Sequence, residues 1–219
     1  MEIKTFQGLG VLSGVVSKGE AGYQIAMANQ TYPLMLRRSN VEKHLKLGKQ
    51  NKILVYPKVT HFPERDAVAS LKFQLIGCKT ENSTSPIFEQ LKLGEFILKG
   101  IWQFIPACRQ PVISIYRNYD SFKEISFRDE LSKLKQSKAQ HVPTLWFDSP
   151  VKPYRFNMKS KEQPDKYFVE IKAKFNLKKN LFIFDSLLDV PTTENYNPFI
   201  FNKAKKAEIL KMQKESVAA

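Results

Sequence analysis

Two segments recur in the same order in the two halves of the chain. NKILVYPKV (51–59) followed by LKFQLIGCK (71–79) is answered by DKYFVEIKAKF (165–175) followed by NLFIFDSLL (180–188). Each segment is short and alternates apolar with polar residues, the pattern of a strand with one buried face. Both pairs follow a segment of helical character. Both halves also open with Leu-x-Gly inside a strand-like run, Leu12-Ser13-Gly14 and Leu98-Lys99-Gly100. A glycine there marks a sharp bend or bulge, which small closed barrels require. A chain of 219 residues has room for two such units of roughly 100 residues each. The recurrence therefore predicts a mainly β fold with α insertions (α+β). It would consist of two small β-barrels in tandem and a C-terminal helical tail.

The remaining segments fill in this plan. VLSGVV (11–16), YQIAM (23–27) and TYPLML (31–36) read as a β-meander, with turns at KGEAG (18–22) and Asn29-Gln30. VEKHLKL (41–47) has helical spacing and ends at Gly48, a C-cap residue. The polar stretch TENSTSPI (80–87) separates the halves. The boundaries that follow are 1–80 for the first barrel, 81–92 for a linker, 93–190 for the second barrel and 191–219 for a basic tail. In the second half, 93–104, 111–118, 142–147 and 153–157 read as strands. A helical insertion near 120–140 sets Phe122, Ile125, Phe127, Leu131 and Leu134 on one face. The tail holds good helix formers, lysine clusters and a thin apolar stripe of Ile209, Leu210 and Met212.

Charge points to the class of partner. The chain carries 35 Lys plus Arg against 21 Asp plus Glu, a net +14 with a pI near 9.7. Such an excess concentrates polyanions at the surface, so single-stranded RNA or DNA is the expected partner. A larger ribonucleoprotein or protein complex is the second expectation. Only two cysteines occur, Cys78 and Cys108, which fits a reducing compartment and no disulfide framework. The N-terminus lacks the layout of a secretory signal, and the apolar runs are too short to span a bilayer. A cytoplasmic protein without a membrane partner is expected.

No motif for catalysis stands out. The three histidines are scattered: His44 in a lysine-rich helical stretch, His61 in the turn HFPERD, and His141 at the end of the basic helix. No pair of them has metal-ligand spacing, and neither a phosphate-binding glycine loop nor a nucleophile elbow occurs. No catalytic residue, metal ligand or cofactor is expected. Asp148, Asp185 and Asp189 are the weak alternative, as carboxylates of a metal-dependent nuclease.

The order of five short strands with a helix before the fourth resembles the OB-fold, a five-stranded Greek-key barrel. The likeness covers about residues 5–80 and 93–190 and rests on element order, because that family has no sharp motif. The long insertion at 119–166 departs from it. The resemblance implies a single strand of nucleic acid held across a barrel face by stacked rings and a cationic groove. Candidate residues are those that set long cations beside rings. Arg37 and Arg38 follow a strand, and Arg109, Tyr116 and Arg117 flank the run PVISI. Lys152, Tyr154 and Arg155 interleave with Pro153 and Phe156, and Lys172 and Lys174 lie on the polar face of 165–175. Trp102, Phe104, Ile113 and Ile115 read as core. The competing reading is an adaptor or structural subunit that docks an acidic protein, with no enzymatic role in either case.

Overall fold

Gly14 sits where the first strand changes partners. In the computed structural model, which describes residues 3–36, 42–61, 69–80, 85–118, 133, 134 and 137–218, strand β1 spans Gln7–Gly19. Residues 10–15 of β1 pair antiparallel with β4 (Gln50–Thr60), with Gly10 opposite Val55. Residues 15–19 pair with β2 (Gly22–Met27), with Val15 opposite Ala26. A Cβ on Gly14 would lie 2.4 Å from the Ala26 carbonyl oxygen, so only glycine lets the two strands close at this corner.

The remaining pairings close a ring. β2 pairs with β3 (Gln30–Leu36), and β3 runs parallel to β5 (Ser70–Cys78), with Leu34 opposite Phe73. β5 then returns antiparallel to β4, with Pro57 opposite Phe73. The order β1-β2-β3-β5-β4 is a closed five-stranded barrel. Strand accounts for 53% of the chain and helix for 11%.

Five further strands extend the same sheet. β6 (Glu95–Phe104) lies antiparallel to the start of β1, from Gln7 opposite Lys99 to Gly10 opposite Phe96. β7 (Pro111–Ile115), β8 (Gln140–Leu145), β9 (Phe168–Asn176) and β10 (Leu181–Thr192) follow. Their pairs are β6 with β7, β7 with β8, β8 parallel with β10, β10 with β9, and β9 with β6. Gly100 on β6 repeats the device of Gly14, since a Cβ there would meet the Ser114 carbonyl oxygen at 2.5 Å.

One apolar core runs through both sets of strands. Phe73, Phe96, Phe168, Phe182 and Trp102 are all at most 1% exposed and belong to the same buried cluster. Phe96 meets Phe182 edge-on at 4.9 Å, and Tyr32 on β3 meets Phe175 on β9 at 5.7 Å. Fully burying a side chain of this size stabilises by roughly 1.5–3 kcal/mol. A smaller cluster sits outside β1 and β4, where α1 (Ile87–Gln90) places Phe88, with Leu91 just after it, against Val11 and Leu54. Residues 85–92, the described part of the expected linker, are thus packed on the sheet.

Several expectations change in detail. Residues 42–47 are turns and loop apart from a single helical residue, held by Asn51, whose side chain bonds the Lys46 N–H and carbonyl. Gly48 does adopt the left-handed conformation expected of a cap, with φ 71°. The stretch 153–157 contributes one bridge, Gln103 to Tyr154, instead of a strand. Most of the expected helix near 120–140 lies outside the described residues, and Gln140 already belongs to β8. The tail forms α2 (Lys203–Ala218), which buries Ile209 to 3% exposure while Leu210 and Met212 stay exposed.

Candidate nucleic-acid interface

Alternation on β4 turns Tyr56 and Lys58 away from the barrel interior, which takes Val55, Pro57 and Val59. The Tyr56 ring lies over Gly8 of β1, with the Lys58 ammonium 4.8 Å from its centroid. Across from them, the chain leaves β7 through Tyr116, Arg117 and Asn118. Asn118 fixes this exit: its Oδ1 accepts the Phe6 N–H at 2.7 Å and its Nδ2 donates to the Phe6 carbonyl at 3.1 Å. Phe6 in turn meets Tyr116 edge-on at 5.6 Å. Between the two walls is a notch of about 220 Å³, to which Lys138, Gln140, Gln74 and Ile115 contribute the rest of the lining.

The notch is basic and aromatic. Lys58, Arg117 and Lys138 line it together with Phe6, Tyr56 and Tyr116, and none of its described lining residues is a carboxylate. Burial pushes the Tyr56 phenol well above its ordinary range against the pull of Arg117, so it is a neutral donor. Burial also raises Tyr116, and a hydrogen bond from Gln103 partly offsets that rise. The same Gln103 amide donates to Ser114 Oγ, which lies 2.8 Å from His141 Nδ1. His141 therefore lies on β8, not at a helix end. Burial, with His61 nearby, lowers its pKa to about 4. The His61 Nε2 donates to the His141 carbonyl, and the Gln140 Oε1 accepts the Val59 N–H. These two bonds tie the end of β4 to the start of β8 beside the notch.

Of the residues the sequence singled out, Tyr116 and Arg117 come together in this notch. Tyr116 is half-buried there, not fully presented to solvent. Lys152, Tyr154 and Arg155 belong to a separate surface: Arg155 covers the Phe104 ring at 4.8 Å, and Lys166 covers Tyr154 at 4.7 Å. Lys172 faces Glu95 at 3.8 Å, and Lys174 bonds Asp185. Arg109 follows a 3-10 turn in the left-handed conformation and is exposed. Arg37 and Arg38 lie outside the described residues. Asp189 bonds Lys4, Asp148 is exposed, and no group of three metal-ligating side chains occurs among the described residues. No described helix is long and apolar enough to cross a membrane.

Sequence reasoning missed Tyr56, Lys58, Lys138, Gln140 and Phe6. The signal for the first two was present, because alternation in LVYPKV places the ring and the ammonium on one face. Comparisons with protein-family models, with curated proteins and with solved structures find no match to this chain.

Proposed function

We propose that this chain is a non-catalytic binder of single-stranded RNA or DNA, built from two OB-like barrels in tandem, with the notch as its principal contact. The second barrel is supported by register. Val15–Ala26, Ala26–Thr31, Leu34–Phe73, Pro57–Phe73 and Gly10–Val55 correspond in order to Ile101–Ser114, Ser114–His141, Thr144–Phe182, Phe175–Phe182 and Phe96–Ala173. The function rests on one observation, the convergence of Lys58, Arg117 and Lys138 with Tyr56 and Tyr116 in one notch. Cations hold the phosphates and rings stack on bases without regard to sequence. A duplex, with its bases already stacked in pairs, offers no free ring to the tyrosines.

Fluorescence anisotropy with labelled single-stranded RNA, single-stranded DNA and duplex across a salt series tests this. Three phosphate contacts give a slope of log K against log salt of about −2 for a single strand. Lys58→Gln and Lys138→Gln each make that slope shallower. Binding that ignores both variants, or a preference for duplex, refutes the proposal. The adaptor reading keeps one specific support, the exposed apolar side chains Phe147, Phe156, Met158 and Val190, at 62–89% exposure.

A further inference from the structure

We infer that the strand reaches the notch across the outer face of β3, β5 and β4, and not across β2 and β3. The inference rests on the proposed single-strand binding and assigns the path by cross-strand register. Tyr56 on β4 stands opposite Gln74 on β5, which stands opposite Met35 on β3. Two residue pairs along, and so on the same face, Lys58 stands opposite Lys72. Gln74 and Tyr56 are part of the notch lining, while Met35 is 41% exposed and Lys72 lies in the open. The face therefore carries a row of flat or flexible contact groups, Met35-Gln74-Tyr56, beside a pair of ammonium groups that follows the same direction. Neighbouring strands are about 4.8 Å apart, so the row runs roughly 10 Å before it enters the notch. That is a short site, near the lower end of the roughly 4–16 nucleotides that a barrel of this type covers.

The adjoining face of the same barrel lacks these groups. On β2 and β3 the outward pairs are Gln24 opposite Pro33 and Ala26 opposite Thr31, which offer neither a ring nor a cation. Among the described outward residues of β2 and β3 a polyanion meets no cation and no aromatic ring, whereas the β5–β4 side offers both. Lys72 and Met35 thus become binding residues at a distance from the notch, in a place where a merely structural role requires neither charge nor an exposed thioether.

The test uses the full chain and fluorescein-labelled oligo(U) and oligo(dT) of 2, 4, 6, 8 and 12 nucleotides, with Lys72→Glu, Met35→Asp and Gln24→Glu as variants. All three positions are on the surface, and an unchanged thermal midpoint checks that each variant is folded. The expected result is a plateau of affinity at about 4–6 nucleotides. Lys72→Glu weakens the longer oligonucleotides about 10-fold and lowers the salt slope by about 1, Met35→Asp weakens them too, and Gln24→Glu changes little. If Gln24→Glu weakens binding and Lys72→Glu does not, the path is overturned. If Lys58→Gln alone matters, the notch reading stands and the path falls. If the wild-type chain binds no oligonucleotide at low salt, the functional reading itself falls, and the path with it.

Discussion

His141 Nδ1 and Ser114 Oγ share a hydrogen bond of 2.8 Å across the β7–β8 pair. The imidazole is mostly buried and its pKa is lowered to about 4, first by burial and then by His61. An unfolded histidine titrates near 6.5, so between the two values the unfolded chain takes up a proton that the folded chain refuses. Stability is unaffected above about pH 6.5, falls as pH drops toward 4, and levels off below that on this account. The loss is on the order of 2–3 kcal/mol. Urea melts from pH 7.5 to 4 measure it, and His141→Gln removes this part of the acid limb.

Gly14 and Gly100 define a second prediction. An added methyl group meets backbone oxygen at both, at 2.4 and 2.5 Å, and neither strand can yield without breaking its pairing. Gly14→Ala and Gly100→Ala each cost about 3 kcal/mol in chemical denaturation. Equal penalties at the two sites follow from their equivalent places in β1 and β6.

Phe88 tests whether residues 85–92 are a spacer or part of the packed body. It is 6% exposed, against Val11, Leu54 and Leu91. Phe88→Ala costs about 3 kcal/mol, whereas a change in a solvated tether leaves the melt unaltered. Glu89, exposed on the same turn, is the control: Glu89→Ala moves the midpoint little.

A fourth prediction separates lysines that belong to the notch from lysines that only contribute to the global charge. Lys172 and Lys174 are engaged by Glu95 and Asp185. Lys172→Gln and Lys174→Gln therefore change single-strand affinity by less than about 2-fold, and Lys138→Gln lowers it several-fold. Anisotropy titrations at one salt concentration are sufficient to rank them.

Four strands of the barrel were legible in the sequence to within a residue at each end, while the reading of 11–16 caught only the middle of β1 (Gln7–Gly19) and missed residues 7–10, which pair with β6. Each has one buried face, so local alternation carries the information. The recurrence of two strand pairs was legible for the same reason, and Leu-x-Gly at both corners reflects a contact that only glycine permits. The site was far less legible. Tyr116 and Arg117 came from the interleaving of ring and cation, but their partners Tyr56, Lys58 and Lys138 are brought to them by β1–β6 pairing and by the bonds between β4 and β8. That juxtaposition depends on how the halves meet, and no local pattern encodes it. His141 was misplaced because the basic stretch before it reads as helix, while VPTL beyond it supplies the strand. The ion pairs of Lys172 and Lys174 were not legible, because their carboxylate partners Glu95 and Asp185 are distant in sequence or on the adjoining strand.

The antiparallel seam from Gln7–Lys99 to Gly10–Phe96 makes the first strand of each half the neighbour of the other's. Integrity of the molecule is then a property of the sheet and not of the covalent thread. Cleaved anywhere between Thr80 and Ser85, the two pieces would stay zipped by main-chain bonds and a shared set of phenyl rings, and would co-migrate as one particle until denaturant parts them.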